Sequence, residues 1–128
     1  MKSSVLVVLA LLLLSCSRPE HLARGPIELG LEPEVVRFEA PLTSTGPGWE
    51  ICFEFRIPGD SHVAERIEVR LVDAGGVRHS LSESRLDRRG ESVVCRLGKT
   101  GAVEPIVGAE LSSPVPIVLR GLRGGPTP

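Results

Sequence analysis

The sequence predicts an all-β fold, an antiparallel β-sandwich of about seven to nine short strands, and three observations carry that expectation. Apolar and polar residues alternate with a period of two through most of the chain after residue 27, which marks strands with one buried and one wet face. Clusters of Gly, Pro, Ser and Asp separate these stretches at short intervals, as turn chemistry requires. No part of that region combines capping residues with apolar positions at three-four spacing. Strands with one charged face suit two sheets packed face to face, each wet on its outside. A small closed β-barrel is the alternative architecture.

The chain opens with Met1-Lys2-Ser3-Ser4, one positive charge and no acid, and continues in an unbroken apolar run from Val5 to Leu14. That run is too short to cross a hydrocarbon core, which takes about 20 residues, and has the layout of a secretory signal peptide. At its end, Leu13-Leu14-Ser15-Cys16 resembles the lipobox of bacterial lipoproteins. The resemblance covers residues 1–16 and implies a diacylglyceryl group on the Cys16 thiol, cleavage after Ser15 and loss of residues 1–15. Two or more acyl chains, palmitate among them, hold a protein stably at about 0.8 kcal/mol per buried methylene. Ser17 follows Cys16; by resemblance to enteric lipoproteins, a residue other than Asp there implies the outer rather than the inner membrane. The expected location is therefore the bacterial cell envelope, with a membrane as partner through the Cys16 lipid.

Loss of the signal would leave 113 of 128 residues, with 14 basic and 16 acidic groups once Lys2 is gone. That balance carries no basic footprint for nucleic acid, and the length suits one domain. Thirteen of the chain's basic residues are Arg, which reads as genome composition rather than a phosphate site. Residues 16–26, with two prolines and a glycine, read as the lipidated N-terminus and a flexible tether. The sandwich is expected over residues 27–122, followed by a disordered tail over 123–128, Arg123-Gly124-Gly125-Pro126-Thr127-Pro128.

Within the domain, Val36, Phe38, Ala40 and Leu42 alternate with Arg37, Glu39 and Pro41. The clearest strand follows, with Trp49, Ile51, Phe53, Phe55 and Ile57 on one face and Glu50, Cys52, Glu54 and Arg56 on the other. Pro58-Gly59-Asp60 ends it. Ile67, Val69 and Leu71 form the next apolar set, Asp73-Ala74-Gly75-Gly76 turns the chain, and Val77, His79 and Leu81 resume. Bringing both sets to one face needs an odd-length loop or a bulge. Later strands are expected over residues 92–97, 106–111 and 115–122.

Cys52 and Cys95 remain after lipidation, and an even pair in an exported chain suggests a disulfide. Neither belongs to a CxxC, which argues against zinc or thioredoxin-like chemistry. Cys52 points with Glu50 and Glu54, away from the apolar face. Two geometries stay open: neighbouring strands bridged on an outer face, or a bulge that re-aims Cys52.

The sequence contains no nucleophile elbow, metalloprotease helix, P-loop or dinucleotide fingerprint. His21 falls in the tether, and His79 shares its strand face with Val77 and Leu81 as a core-edge residue. His62 has Asp60 and Ser61 beside it, but adjacent residues of one loop rarely converge as nucleophile, base and orienter. Glu50 and Glu54 recur at alternate positions as a wet face does, and no Asp-rich calcium loop is present. Arg85-Leu86-Asp87-Arg88-Arg89-Gly90-Glu91 is the densest charge cluster and reads as a solvated inter-strand turn.

These observations predict a non-enzymatic, lipid-anchored β-sandwich with no cofactor and no metal, presenting a binding surface to an envelope protein partner. The turns around Asp60 and His62 and around Arg85, Arg88 and Arg89, together with unpaired edge strands, are the candidate interaction sites. No pattern points to a small-molecule ligand. The alternative is a carbohydrate- or peptidoglycan-binding module, in which Trp49, Phe53 and Phe55 would have to face solvent.

Overall fold

The computed structural model describes residues 20–43 and 46–127; Cys16 and the expected signal peptide lie outside them. Among the described residues there are nine strands, β1 (Glu20–Leu29), β2 (Glu34–Leu42), β3 (Gly48–Phe55), β4 (Glu68–Asp73), β5 (Arg78–Ser80), β6 (Ser82–Arg88), β7 (Val93–Lys99), β8 (Ile106–Ser112) and β9 (Ile117–Pro126). They form two antiparallel sheets, β1-β9-β3-β7-β6 and β2-β8-β4-β5. The architecture is an open β-sandwich rather than a barrel, since no ladder joins one sheet to the other.

The alternation in β3 does what its pattern requires. Trp49, Ile51, Phe53 and Phe55 are fully buried between the sheets, facing Leu71, Ala109 and Leu111 of the four-stranded sheet in one continuous core. Burying a large apolar side chain contributes about 1.5–3 kcal/mol, so this strand is the fold's principal hydrophobic investment. The β4–β5 turn has the odd length expected: Leu71 pairs with His79 and Val72 with Arg78, and Asp73 N–H donates to the Val77 carbonyl across three residues.

Four boundaries differ from expectation, each for a physical reason. Residues 20–26 are not tether but the first part of β1, because Leu22 and Ala23 are buried and β9 supplies their backbone partners. Gly25, read as a flexible residue, sits where an added Cβ would lie 2.5 Å from the Leu119 and Arg120 carbonyls. It permits close approach at a ladder irregularity between Arg24 and Ile27. Residues 123–126 likewise belong to β9, not to a disordered tail, and Thr127 N–H donates to the Gly48 carbonyl. Gly124 has φ +150°, and a Cβ there would fall 2.2 Å from the Glu50 carbonyl; the glycines let β9 fit between β1 and β3.

The third difference is a 3-10 helix over Pro58–Arg66 where a simple stop was expected. Pro58 opens it, and Ser61 and Ala64 are buried one 3-10 turn apart. Finally, Arg85 and Arg88 are not in a turn. They lie in β6, whose seven residues are all exposed, and the turn shrinks to residues 89–92, closed by Arg89 N–H on the Val93 carbonyl.

The register also gives the molecule two ends. Glu20 pairs with Gly124, Trp49 with Pro126 and Ser82 with Lys99, so β1 begins at a proximal end. The distal end carries the loops 30–33 and 113–116, held by Ser113 N–H on the Gly30 carbonyl, together with the 3-10 helix and the 89–92 turn. A strand of β1's length separates the two ends by roughly 30 Å.

Candidate interaction surface

The outer face of the five-stranded sheet carries the cystine. Cys52 and Cys95 are direct register partners on β3 and β7, bonded with Cα atoms 3.9 Å apart. The bridge therefore takes the first of the two geometries, neighbouring strands on an outer face. It is nevertheless buried, because Arg89 folds over it. The Arg89 guanidinium donates to Glu50 Oε2 at 2.7 Å and Asp87 Oδ2 at 2.9 Å, with Nη1 3.9 Å from Cys52 Sγ. The bonds to Glu50 first, and then Asp87, hold the guanidinium above its ordinary pKa. Arg89 is thus a latch over the cystine rather than a free interaction residue. Glu50, Cys52 and Cys95 are grouped closely enough to hold a metal ion, but both sulfurs are spent on each other.

The polar residues around His62 do not assemble as catalytic machinery. His62 Nδ1 donates to the Gly59 carbonyl, whereas Ser61 Oγ accepts from Arg88 Nη1 at 2.7 Å. Asp60 faces elsewhere, into a distal cavity of about 480 Å3 with Glu28, Arg56, Ile57 and Pro116. His21 is not in a solvated tether: it is half-buried in β1, 3.7 Å from Glu39 Oε1. His79 Nε2 lies 2.7 Å from Asp73 Oδ2. That bond, followed by backbone donation from Val77 and Gly75, holds the Asp73 carboxyl below the usual carboxylate range against its desolvation.

Arg88 and Arg85 line two adjoining hollows, with a residue the sequence reading missed. The register pairs Leu86 with Arg96 and Arg88 with Val94, and this set faces the 3-10 helix. Arg96 Nη2 donates to the Ala64 and Glu65 carbonyls at 3.0 and 3.1 Å, while its Nε is buried with no partner. Burial lowers the Arg96 pKa. Between the helix and β6 run two adjoining hollows of about 300 and 360 Å3. Arg88, Val94 and His62 line the first, Arg85, Ser84 and Arg96 the second, and Glu65 and Leu86 line both. The signal for Arg96 was present: it shares a strand face with Val94 in an otherwise apolar run, a position where a charge needs a reason.

This arrangement offers a basic groove with an apolar floor, alongside a sheet edge that no strand covers among the described residues. The aromatic residues cannot serve a sugar ring, since Phe38, Trp49, Phe53 and Phe55 are all buried. Compared with known protein families, curated proteins and solved structures, the chain matches none.

Proposed function

We propose that this protein is a lipid-anchored envelope lipoprotein, held through Cys16, whose non-enzymatic β-sandwich presents its distal end and β6 edge to a protein partner. The supporting observation is an opposition within the fold. Cys16 stands four residues before Glu20 at the proximal end, whereas His62 and Arg88 meet in a groove toward the other end. Four residues reach at most about 14 Å, so an anchored domain would stand close to its membrane with the groove turned away. The outer membrane is the favoured site, on the residue that follows Cys16. A glycan-binding role loses its support with the burial of the aromatic residues.

The test is site-specific photocrosslinking in cells, with the crosslinker at His62 in one strain and at the exposed proximal residue Val103 in another. We expect a discrete protein adduct from position 62 and none from position 103. Adducts from position 103 alone would overturn the proposed orientation.

A further inference from the structure

We infer that the occupant of the β6 edge is an extended acidic segment of the partner protein. It adds a strand to the five-stranded sheet and places its carboxylates on Arg88 and Arg96. This deepens the proposed function and rests on it. The first support is the edge itself. β6 is the last strand of its sheet, fully exposed over seven residues, and an uncovered row of backbone donors and acceptors is a template for strand addition. The other edges are less available. β1 and β2 lie beside each other, linked by Arg24 and Glu39 at 3.3 Å, and β5 has only three residues.

Charge supplies the second support. The acids of β6 are already engaged, Glu83 with Lys99 and Asp87 with Arg89, each at 2.9 Å. Among the described residues, Arg85, Arg88 and Arg96 have no such carboxylate partner, and of the acids Glu65 alone lines the groove. The edge is left with an excess of guanidinium groups, which favour carboxylates in forked geometry. Leu86, 40% exposed, and Val94 share the strand face of Arg88 and Arg96. An incoming strand that alternates acidic and aliphatic residues would turn all its acids to one face, that of Arg88 and Arg96. A lipid headgroup or free anion could satisfy the arginines but not the backbone row, so a polypeptide is favoured.

The full chain, purified in detergent, tests this with two short synthetic peptides, one alternating Glu and Val and the other Lys and Val. Affinity is read by fluorescence anisotropy and location by hydrogen exchange. The acidic peptide is expected to bind and to slow exchange over residues 82–88 at least tenfold. Arg88→Glu should weaken it about tenfold, with Arg88→Lys retaining most of the binding, whereas Arg85→Glu, on the opposite face of β6, should weaken it less. These variants avoid Arg96, whose burial and two bonds to the 3-10 helix make its loss a folding risk; Arg88 also bonds that helix through Ser61, so an unchanged melting temperature of Arg88→Glu accompanies its binding measurement. Equal binding of the basic peptide, or protection away from β6, would overturn the inference. So would displacement of the acidic peptide from β6 by phosphatidylglycerol vesicles. Loss of peptide binding alongside persistent crosslinking from position 62 would remove this occupant while leaving the partner-binding function standing.

Discussion

Replacing both cystine residues, Cys52→Ala with Cys95→Ala, should cost the domain about 4 kcal/mol on a chain-entropy treatment. The magnitude follows from the sequence separation of 43 residues, because the bridge denies the unfolded chain the freedom of a loop of that length. Native domains have roughly 5–15 kcal/mol in total, so roughly a quarter to four-fifths of the margin would go. The bond also pins β3 against β7 in the register that keeps Ile51 and Phe53 inside, since a one-residue slip would turn that face to water. Urea unfolding of the oxidised protein and the double variant provides the assay. The midpoint should fall sharply and the m-value should rise, as the uncrosslinked chain exposes more surface when unfolded. A difference below about 1 kcal/mol would refute the reasoning. So would free thiols at Cys52 or Cys95 in the denatured, unreduced protein.

Further expectations concern the strands that the sequence concealed and one buried carboxylate. Gly124→Ala should destabilise by about 3 kcal/mol through its φ and its contact with the Glu50 carbonyl. Gly30→Ala, with open space around it, should stay near wild type; equal melting temperatures for the two would contradict the β9 packing. Leu22→Ala should cost roughly 2–4 kcal/mol as a core truncation, measured by thermal unfolding, whereas a residue in a tether would cost nothing. Asp73 has a folded pKa below its unfolded value of about 3.9. Its contribution is therefore present above that value and lost as pH falls through the folded one. Asp73→Asn should flatten the acid-side decline in urea midpoint below about pH 4, and an unchanged slope would sink this assignment.

The contrast between β3 and its neighbours explains how much of the fold was legible. Trp49 to Phe55 announce a strand because Trp49, Ile51, Phe53 and Phe55 meet the same core, whereas Ile57, read with them, lies past the end of β3 and is 58% exposed. β1 and the last residues of β9, past the strand expected to end at 122, hid behind Gly25, Pro26, Gly124 and Gly125, residues that usually signal loops. Here the glycines Gly25 and Gly124 serve close backbone approach instead, a requirement set by strands distant in sequence. β6 hid for the opposite reason: as an exposed edge it carries charge on both faces, and nothing in Arg85 to Arg88 alternates clearly.

The candidate surface shows the same division. The facing of Cys52 followed from alternation, but that facing left the neighbouring-strand bridge and a bulge both open, and the pairing of β3 with β7 decides between them. Arg89 could not be recognised as a latch, because its partners Glu50 and Cys52 are 39 and 37 residues away. Arg88 was singled out by its charge cluster, but the groove depends on a 3-10 helix that supplies Ser61 and the Ala64 carbonyl. That helix has no three-four apolar spacing to reveal it. The separation of Asp60 from His62, two residues apart in sequence, depends on the same helix.

The most direct test of the proposed anchor is the mass of the N-terminal peptide from protein purified out of bacterial membranes. The expected result is a peptide that begins at Cys16 and carries a diacylglyceryl group on its sulfur, with release from the membrane in Cys16→Ser. A peptide that begins elsewhere, or begins at Cys16 with a free thiol, would contradict lipid anchoring.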